Sequence, residues 1–316
     1  MFDVTIAGDI NLDLILYGLQ EEIPVERESL ASDFRLTLGG SGSITAHNLA
    51  SLGCKVGLVG KIGADELGQI SLARLRDAGV DTSHCIHSST GAVTGVTILL
   101  PHGRTRRILT YPGTIAEMSV QDIDVEYLAR SRHFHISSFF LQKNLQKGLP
   151  ELCHNLRARG LTVSMDSNDD PEDRWGEAFL SMLPAIDILL PNEDEAKRMT
   201  GKSNLNEALA DLSKRVPVIV VKCGSRGAIL QTAERCVEVP SLAVTPIDTI
   251  GAGDSFNAGF LSRFVKGDSL ESCIALGNIA AALSTQRPGG TESFRDTAFA
   301  QSFLSQHLPK PDPQRP

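Results

Sequence analysis

Ile247-Asp248-Thr249-Ile250-Gly251-Ala252-Gly253-Asp254-Ser255-Phe256-Asn257-Ala258-Gly259-Phe260 is the stretch on which the reading of this chain turns. Gly251 and Gly253 interrupt its first half, and the second half then runs as a helix. Phe256, Phe260, Leu261 and Phe264 recur at helical spacing, an apolar stripe on one face, while Ser255 and Ala258 keep the other side small. The glycines let the backbone curl so that several N–H groups point one way at the helix start. Those first N–H groups have no intrahelical partner, and the helix dipole is positive there, so the spot suits an anion. Asp254 sits in the first turn. A phosphate held on main-chain amides, with a carboxylate beside it to take a proton from a hydroxyl, is the arrangement that phosphoryl transfer needs. Taken alone, Gly251-Ala252-Gly253-Asp254 also describes a plain glycine turn with Asp254 as an ordinary cap.

The whole run resembles the C-terminal signature of the ribokinase-like (PfkB) carbohydrate kinases, Asp-Thr-x-Gly-Ala-Gly-Asp-x-Phe-x-x-Gly. Asp248, Thr249, Gly251, Ala252, Gly253, Asp254, Phe256 and Gly259 match every fixed position. The resemblance implies that Asp254 is the general base and that the backbone of Gly251, Ala252 and Gly253 is the anion hole.

At 316 residues the chain has room for one large α/β domain or for two. A formal charge of -8 argues against a nucleic-acid partner, although it leaves room for a local basic pocket. No apolar run approaches the roughly 20 residues that span a bilayer, so no membrane partner is expected. Met1-Phe2-Asp3 leads straight into the strand-like Val4-Thr5-Ile6-Ala7, and no secretory leader is expected. The cysteines at 54, 85, 153, 223, 236 and 273 are scattered without a Cys-x-x-Cys, which favours reduced thiols in a cytoplasm.

Val4 to Ile10 reads as a buried first strand running into Gly8-Asp9-Ile10-Asn11-Leu12-Asp13. Asp9, Asn11 and Asp13 alternate, so a continuing strand would place them on one face, at the strand end where open α/β sheets bind ligands. A bare strand edge is the other reading. In the family an Asn-x-Asp here binds substrate hydroxyls, which implies that role for Asn11 and Asp13. Next, Leu38-Gly39-Gly40-Ser41-Gly42-Ser43-Ile44 opens a helix with Leu49 and Leu52 inward and Gly53 as its C-cap. This is similar to the family's N-terminal signature, Gly-Gly-x-x-x-Asn, and implies substrate contact at Gly39, Gly40 and Ser41. Ile44 stands where asparagine is usual, and Ser41 where ribokinases proper carry a lysine; both departures point away from ribose.

Val56 to Gly60 reads as a short buried strand, and Gly63 to Gly68 opens a helix with Leu67, Ile70 and Leu75 inward. Val93 to Leu100 and Thr105 to Thr110 read as a hairpin around Pro101-His102-Gly103. With the short strands of Leu14 to Leu38, the resemblance makes these a small β lid over the substrate, formed by segments of about 12–38 and 92–112. Arg104, Arg106 and Arg107 lie on it, either as a solvated strand edge or with one of them reaching an anionic substrate such as a sugar acid.

The remainder alternates strand and helix, the rhythm of a parallel sheet. Strands are expected at 134–137, 161–165, 186–190, 218–221 and 227–231. Helices are expected near 144–159, 193–200, 206–214, 269–285 and 296–307. His133 and His135 share a strand face, as a metal pair or as a packed, hydrogen-bonded one. Asn192 and Glu195, three apart at a helix start, form either a capping box or, by the resemblance, the Asn-x-x-Glu that helps place the metal, its waters and the terminal phosphate. That would make Glu195 a Mg²⁺ contact through water. The turn of Lys222, Gly224, Ser225 and Gly227 would contribute to the nucleotide pocket, with Asn278 bordering adenine. The resemblance also implies a monovalent cation, K⁺ in kind, held by Asp248, Ile250, Ser284, Arg287, Gly289 and Ser293. The proline-rich tail from Pro309 is expected to be disordered.

One ribokinase-like α/β domain over 1–308 is therefore expected: a three-layer sandwich with a mainly parallel sheet and a small β lid. The expected reaction is transfer of a phosphoryl group from ATP, with Mg²⁺, to a hydroxyl of a small sugar or sugar derivative. A nucleoside kinase of the same fold is the alternative, and a non-catalytic sugar or nucleotide sensor is the reading from another class. Family lids often pair, which implies a homodimer. A dinucleotide dehydrogenase fits poorly, because Gly-Asp-Ile-Asn follows the first strand in place of Gly-x-Gly-x-x-Gly.

Overall fold

A computed structural model describes residues 1–103 and 105–308. Arg104 and the tail 309–316 lie outside the described residues. The first part of the chain forms β1 (Phe2–Ala7), β2 (Asn11–Tyr17), β3 (Asp33–Gly39), α1 (Ser41–Ser51), β4 (Val56–Val59), β5 (Lys61–Ile62), α2 (Glu66–Asp77), β6 (Ile86–His87), β7 (Gly95–His102) and β8 (Thr105–Tyr111). Then come α3 (Val125–Leu128), β9 (Ser131–Ser137), α4 (Leu149–Ala158), β10 (Thr162–Asp166), α5 (Glu177–Met182), β11 (Ile188–Leu189), α6 (Glu193–Thr200), α7 (Leu205–Leu212) and β12 (Val218–Lys222). The chain closes with β13 (Ala228–Gln231), β14 (Cys236–Val239), α8 (Ala252–Phe264), α9 (Leu270–Ser284), α10 (Glu292–Arg295) and α11 (Thr297–His307).

An eight-stranded sheet runs in the order β14-β13-β12-β11-β10-β9-β1-β4. It is parallel from β12 to β4, and β13 and β14 close the edge antiparallel. The order grows outward from β1 in both directions. The strand order therefore diverges between β1 and β9, and the crevice beyond the C-terminal ends of such strands is where open α/β sheets place ligands. Both faces of the sheet are buried, which is why its strands read as near-continuous apolar runs. On one face Phe134, Ile136, Val163 and Met165 pack with Leu152 and Leu156 of α4. On the other, Val4, Ile6, Val220 and Leu230 pack with Phe256 and Phe260 of α8.

That second face turns polar under α8. His133 hydrogen-bonds Thr162 and Ser164 at 2.7 and 2.6 Å, and His135 bonds the same Ser164 at 2.7 Å. Burial pushes both imidazoles down, His133 to about 3 and His135 to about 4, so they are neutral. The His-x-His is thus a hydrogen-bonded pair. Among the described residues no group of three or more His, Cys, Asp or Glu could hold a metal ion.

A separate four-stranded sheet, β3-β2-β7-β8, carries Asp13, Thr97 and Thr110 on its inner face, where Thr97 and Thr110 hydroxyls lie 3.2 Å apart. It is built from the segments expected for the lid, but residues 18–32 contribute no strand to it.

Several local expectations are corrected. The first strand ends at Ala7, and the chain turns through Asp9 so that Asn11 and Asp13 open β2 of the small sheet. The helix expected from Asn144 begins at Leu149, because Gly148 takes left-handed backbone (φ 83) as its N-cap. The short edge strand β14 was not anticipated. Residues 254–262 of α8 are buried on every side, the small residues included, because α1 and α9 both pack on the helix: Asn48 of α1 bonds Ser255, and Gly277 of α9 lies against the Phe256 ring. Among the described residues no helix is long and apolar enough to cross a membrane.

Candidate active site

Gly251 caps α8 in left-handed backbone (φ 69) without any side-chain cap. A Cβ there would fall 2.5 Å from Gly290 Cα, so the position admits only glycine. The Ala252 amide donates to Thr249 O at 3.3 Å and that of Ser255 to Gly251 O at 2.9 Å; those of Gly253 and Asp254 donate to nothing among the described residues. Lys222 Nζ lies 3.5 Å from where a Cβ of Gly253 would sit. Free amides, a helix N-terminus and an ammonium group thus surround the space that Gly253 leaves open. A terminal phosphate group fits such donors.

Asp254 is buried, 8% exposed. Burial first, then the charge of Asp166, raises its carboxyl to about 7; Lys222 and the Ser41 hydroxyl pull the other way, and Asp9 pushes up again. A carboxylate so poised titrates near neutrality, where a general base is most useful. Asp166 ends β10 with Lys222 Nζ at 2.5 Å and Asn257 Nδ2 at 2.6 Å. Burial opposes its charge, but the Lys222 ion pair outweighs it and holds the carboxyl below the usual range.

On the side of the small sheet, the paired glycines have a plain cause. A Cβ on Gly39 would meet Asp13 Oδ1 at 2.1 Å, and one on Gly40 would meet Asn11 Oδ1 at 2.5 Å. Asn11 Nδ2 donates to Thr97 Oγ1 at 2.9 Å, while its buried Oδ1 has no partner among the described residues. Asp13 is raised to about 8 by burial and by the charges of Asp9 and Asp254, with Arg106 opposing. Asp9 Oδ1 accepts from the Gly42 amide at 2.9 Å, and Ser41 Oγ accepts from Asn168 Nδ2 at 2.9 Å. Ile44 is buried, and its methyl groups pack beneath Gly251 and Gly290. Arg106 reaches the loop before α8, its Nη1 donating to Thr249 Oγ1 at 3.2 Å, and Arg107 is exposed.

Behind Lys222, Asn192 and Glu195 form a capping box, each bond 2.9 Å. Burial and then Asp166 raise Glu195 to about 7, against Lys222. The turn at Gly224, Ser225 and Gly227 meets residues 239–241: Ser241 Oγ donates to Ser225 O at 2.5 Å, and Asn278 Nδ2 donates to Val239 O and Pro240 O at 3.1 and 3.0 Å. The Asn278 amide nitrogen is therefore engaged by main chain. Asp248 gathers Tyr17 Oη, the Ile250 amide and the Gly289 amide, each at 3.0 Å. Ser293 Oγ donates to Ser284 O at 3.3 Å. Arg287 turns its guanidinium to Asp296 at 2.6 Å and over the Phe299 ring, so of the residues expected around a cation it could offer only its carbonyl.

Asp166, Asn257, Asn168 and Tyr17 also border this cleft and were not singled out from the sequence. A signal existed for Asp166, a carboxylate closing an apolar strand at the end where ligands bind. Asn257 lies one turn beyond Asp254, on the same helix side.

Residues 1–297 match the model of the pfkB family carbohydrate kinases. An uncharacterized sugar kinase of Archaeoglobus fulgidus is 31% identical over 249 residues, 77% of this chain and 96% of its own. The ribokinase of Haemophilus influenzae is 26% identical over 311 residues, 95% of this chain and 98% of its own. Arabidopsis thaliana ribokinase, solved with ribose and ATP, superposes with a TM-score of 0.81 at 25% identity, covering 96% of this chain and 98% of that one. A family match over nearly the whole length, with a shared ribokinase-like architecture, places this chain in the pfkB family of carbohydrate kinases, which are ATP-dependent phosphotransferases.

Proposed function

We propose that this chain transfers the terminal phosphoryl group of ATP to a hydroxyl of a small sugar or sugar derivative, in a cytoplasmic setting. One observation carries the reading: a buried carboxylate, Asp254, poised near neutrality in the first turn of a helix where, among the described residues, the amides of Gly253 and Asp254 have no acceptor and Lys222 lies beside Gly253. The amides of Gly251 to Gly253 hold the transferring group, Lys222 balances its charge, and Asp254 takes the hydroxyl proton. Asn11, through an Oδ1 without a partner among the described residues, and Asp13 bind substrate hydroxyls beside Gly39, Gly40 and Ser41. Mg²⁺, when bound, neutralises phosphate charge; Glu195 with Asn192 would hold it through water, in keeping with a site whose ligands are mostly phosphate and solvent. Segments 224–227 and 239–241, braced by Asn278, form the nucleotide side.

The small sheet serves as the lid of a single domain, excluding water so that ATP is not hydrolysed idly. Its outer face pairs two copies of the chain. Carbonyls around Asp248, Ile250, Ser284, Arg287, Gly289 and Ser293 would take a monovalent cation; equal turnover in sodium and potassium salts would remove that cation.

Phosphate transfer from ATP, followed by ADP release, is to be screened over sugars, sugar acids and nucleosides. Turnover on a sugar or sugar acid is the expected result. Turnover confined to nucleosides transfers the reading to a nucleoside kinase, and binding without any ADP release makes the chain a sensor.

A further inference from the structure

One face of β2 serves two neighbours. Asn11, Asp13, Ile15 and Tyr17 alternate along the strand and so share that face. The first two stand at the substrate end proposed above. The other two meet the loop that runs into the anion hole. Tyr17 Oη donates to Asp248 Oδ2 at 3.0 Å. Arg106 Nη1, from β8 of the same small sheet, donates to Thr249 Oγ1 at 3.2 Å. Ile250 is buried in an apolar cluster with Ile15 and Leu99, which are paired by register, and Tyr17 packs beside them. That cluster is separate from the two that line the large sheet. Asp248, Thr249 and Ile250 are thus each held by the small sheet, and the residue that follows them is Gly251, the cap of α8.

The loop has little preference of its own. Gly251 and Gly289 both take left-handed backbone (φ 69 and 91), and glycine enters that region about as readily as any other, so packing decides the course of the chain. The Gly289 amide donates to Asp248 Oδ2 at 3.0 Å, and a Cβ on Gly289 would fall 2.7 Å from Thr37 Cγ2 of β3, so this second strand of the loop is also pressed against the small sheet. We propose that Tyr17, with Ile15 and Leu99 packed on Ile250, is a positioning residue for the phosphate site: it fixes the course of residues 248–250 and so the direction of the amides that follow at Gly251 to Gly253. The inference rests on the role proposed above for those amides, that of holding the terminal phosphate. It makes the lid and the anion hole one body. The strand that carries the acceptor's partners, Asn11 and Asp13, also carries the residue that aims the phosphate's. An attacking hydroxyl and a phosphorus atom must be brought to about 3–3.5 Å in line, and one strand joined to both sites supplies that alignment.

Binding of ADP and of the non-hydrolysable ATP analogue AMP-PNP, each with Mg²⁺, is to be measured on the full chain by calorimetry in one potassium-salt buffer. The two ligands differ by the terminal phosphate group. Tyr17→Phe keeps the ring in the apolar cluster and removes only the hydroxyl. It should weaken AMP-PNP by about three- to tenfold, the worth of one hydrogen bond, and leave ADP unchanged. Leu99→Ala, which removes packing from Ile250, should discriminate in the same way, with Leu99→Val in its place if the alanine variant does not fold. The double variant should lose less than the product of the two single losses, because both act on one contact. Equal weakening of ADP and AMP-PNP would mean a general loosening of the fold and overturns the inference, as does unchanged binding of both. Binding of neither nucleotide to the wild-type chain would defeat ATP as the donor, and the inference with it.

Discussion

Asp254 carries two properties that pull against each other. Its carboxyl is raised to about 7, by burial first and then by Asp166, so the native chain binds that proton more tightly than an unfolded chain would. The stability this contributes is complete below the unfolded value, about 4 for an aspartate, and is lost as pH rises through 7. The base role proposed for it needs the opposite state, the ionised carboxylate. Asp254→Asn should therefore lose roughly 10²–10⁴-fold in rate with substrate binding largely kept, while its melting temperature falls less than the wild type's between pH 5 and pH 8. Only part of that slope disappears, since Asp13 (about 8) and Glu195 (about 7) titrate with the same sign. Near-normal turnover in the variant would remove Asp254 from the role. The wild-type rate should rise along an acid limb near pH 7. Asp254 is legible in the sequence because everything that defines it, glycines, helix and stripe, lies within a dozen residues. Asp166 and Asn168 are not, since their meaning comes from Lys222 and Ser41, which only the sheet and the first helix bring to them.

Three elements meet at Asp166: β10 supplies the carboxylate, β12 the ammonium of Lys222, and α8 the amide of Asn257. Removing one member of a buried ion pair leaves the other uncompensated and typically destabilises by about 3–5 kcal/mol. Lys222→Met should lose about that much in urea unfolding, and adding Asp166→Asn should restore most of it. Both variants should lose turnover, because the charge beside Gly253 is gone. A Lys222→Met variant as stable as wild type would mean that Asp166 is neutral or solvated in the native chain. Elements read well from sequence where their ends are local. Residues 193–200 form the expected helix because Asn192 and Glu195 cap it between themselves. Reading fails where an end or a face depends on something distant. The small residues of α8 have no local meaning: Ser255 is explained by Asn48 of α1, and Gly259 by α9, so close that a Cβ there would fall 2.6 Å from Leu276 O.

At the scale of the whole molecule, the small sheet has two unlike faces. Its inner face closes on the loop before α8 through Tyr17 and Arg106. Its outer face brings together Leu14, Ile98 and Leu109 by register, flanked by Phe34 and Tyr111. Phe34, Leu109 and Tyr111 are 61%, 55% and 53% exposed. Scattered exposed apolar residues need no explanation, but a contiguous sheet face of them marks an association surface. Pairing two copies across this face would bury it and join the two lids, so that one copy's lid is braced by the other's. Sedimentation of the full chain at micromolar concentration should give twice the mass of one chain. Leu109→Glu and Phe34→Glu should each shift it toward the monomer, and their catalytic residues, which lie on the other side of the sheet, should be untouched. The loss should then appear mainly as weaker substrate binding and faster idle ATP hydrolysis, because an unbraced lid excludes water less well. A monomeric wild type, or Glu variants that remain dimeric, would place the contact elsewhere and leave this face to serve the lid alone.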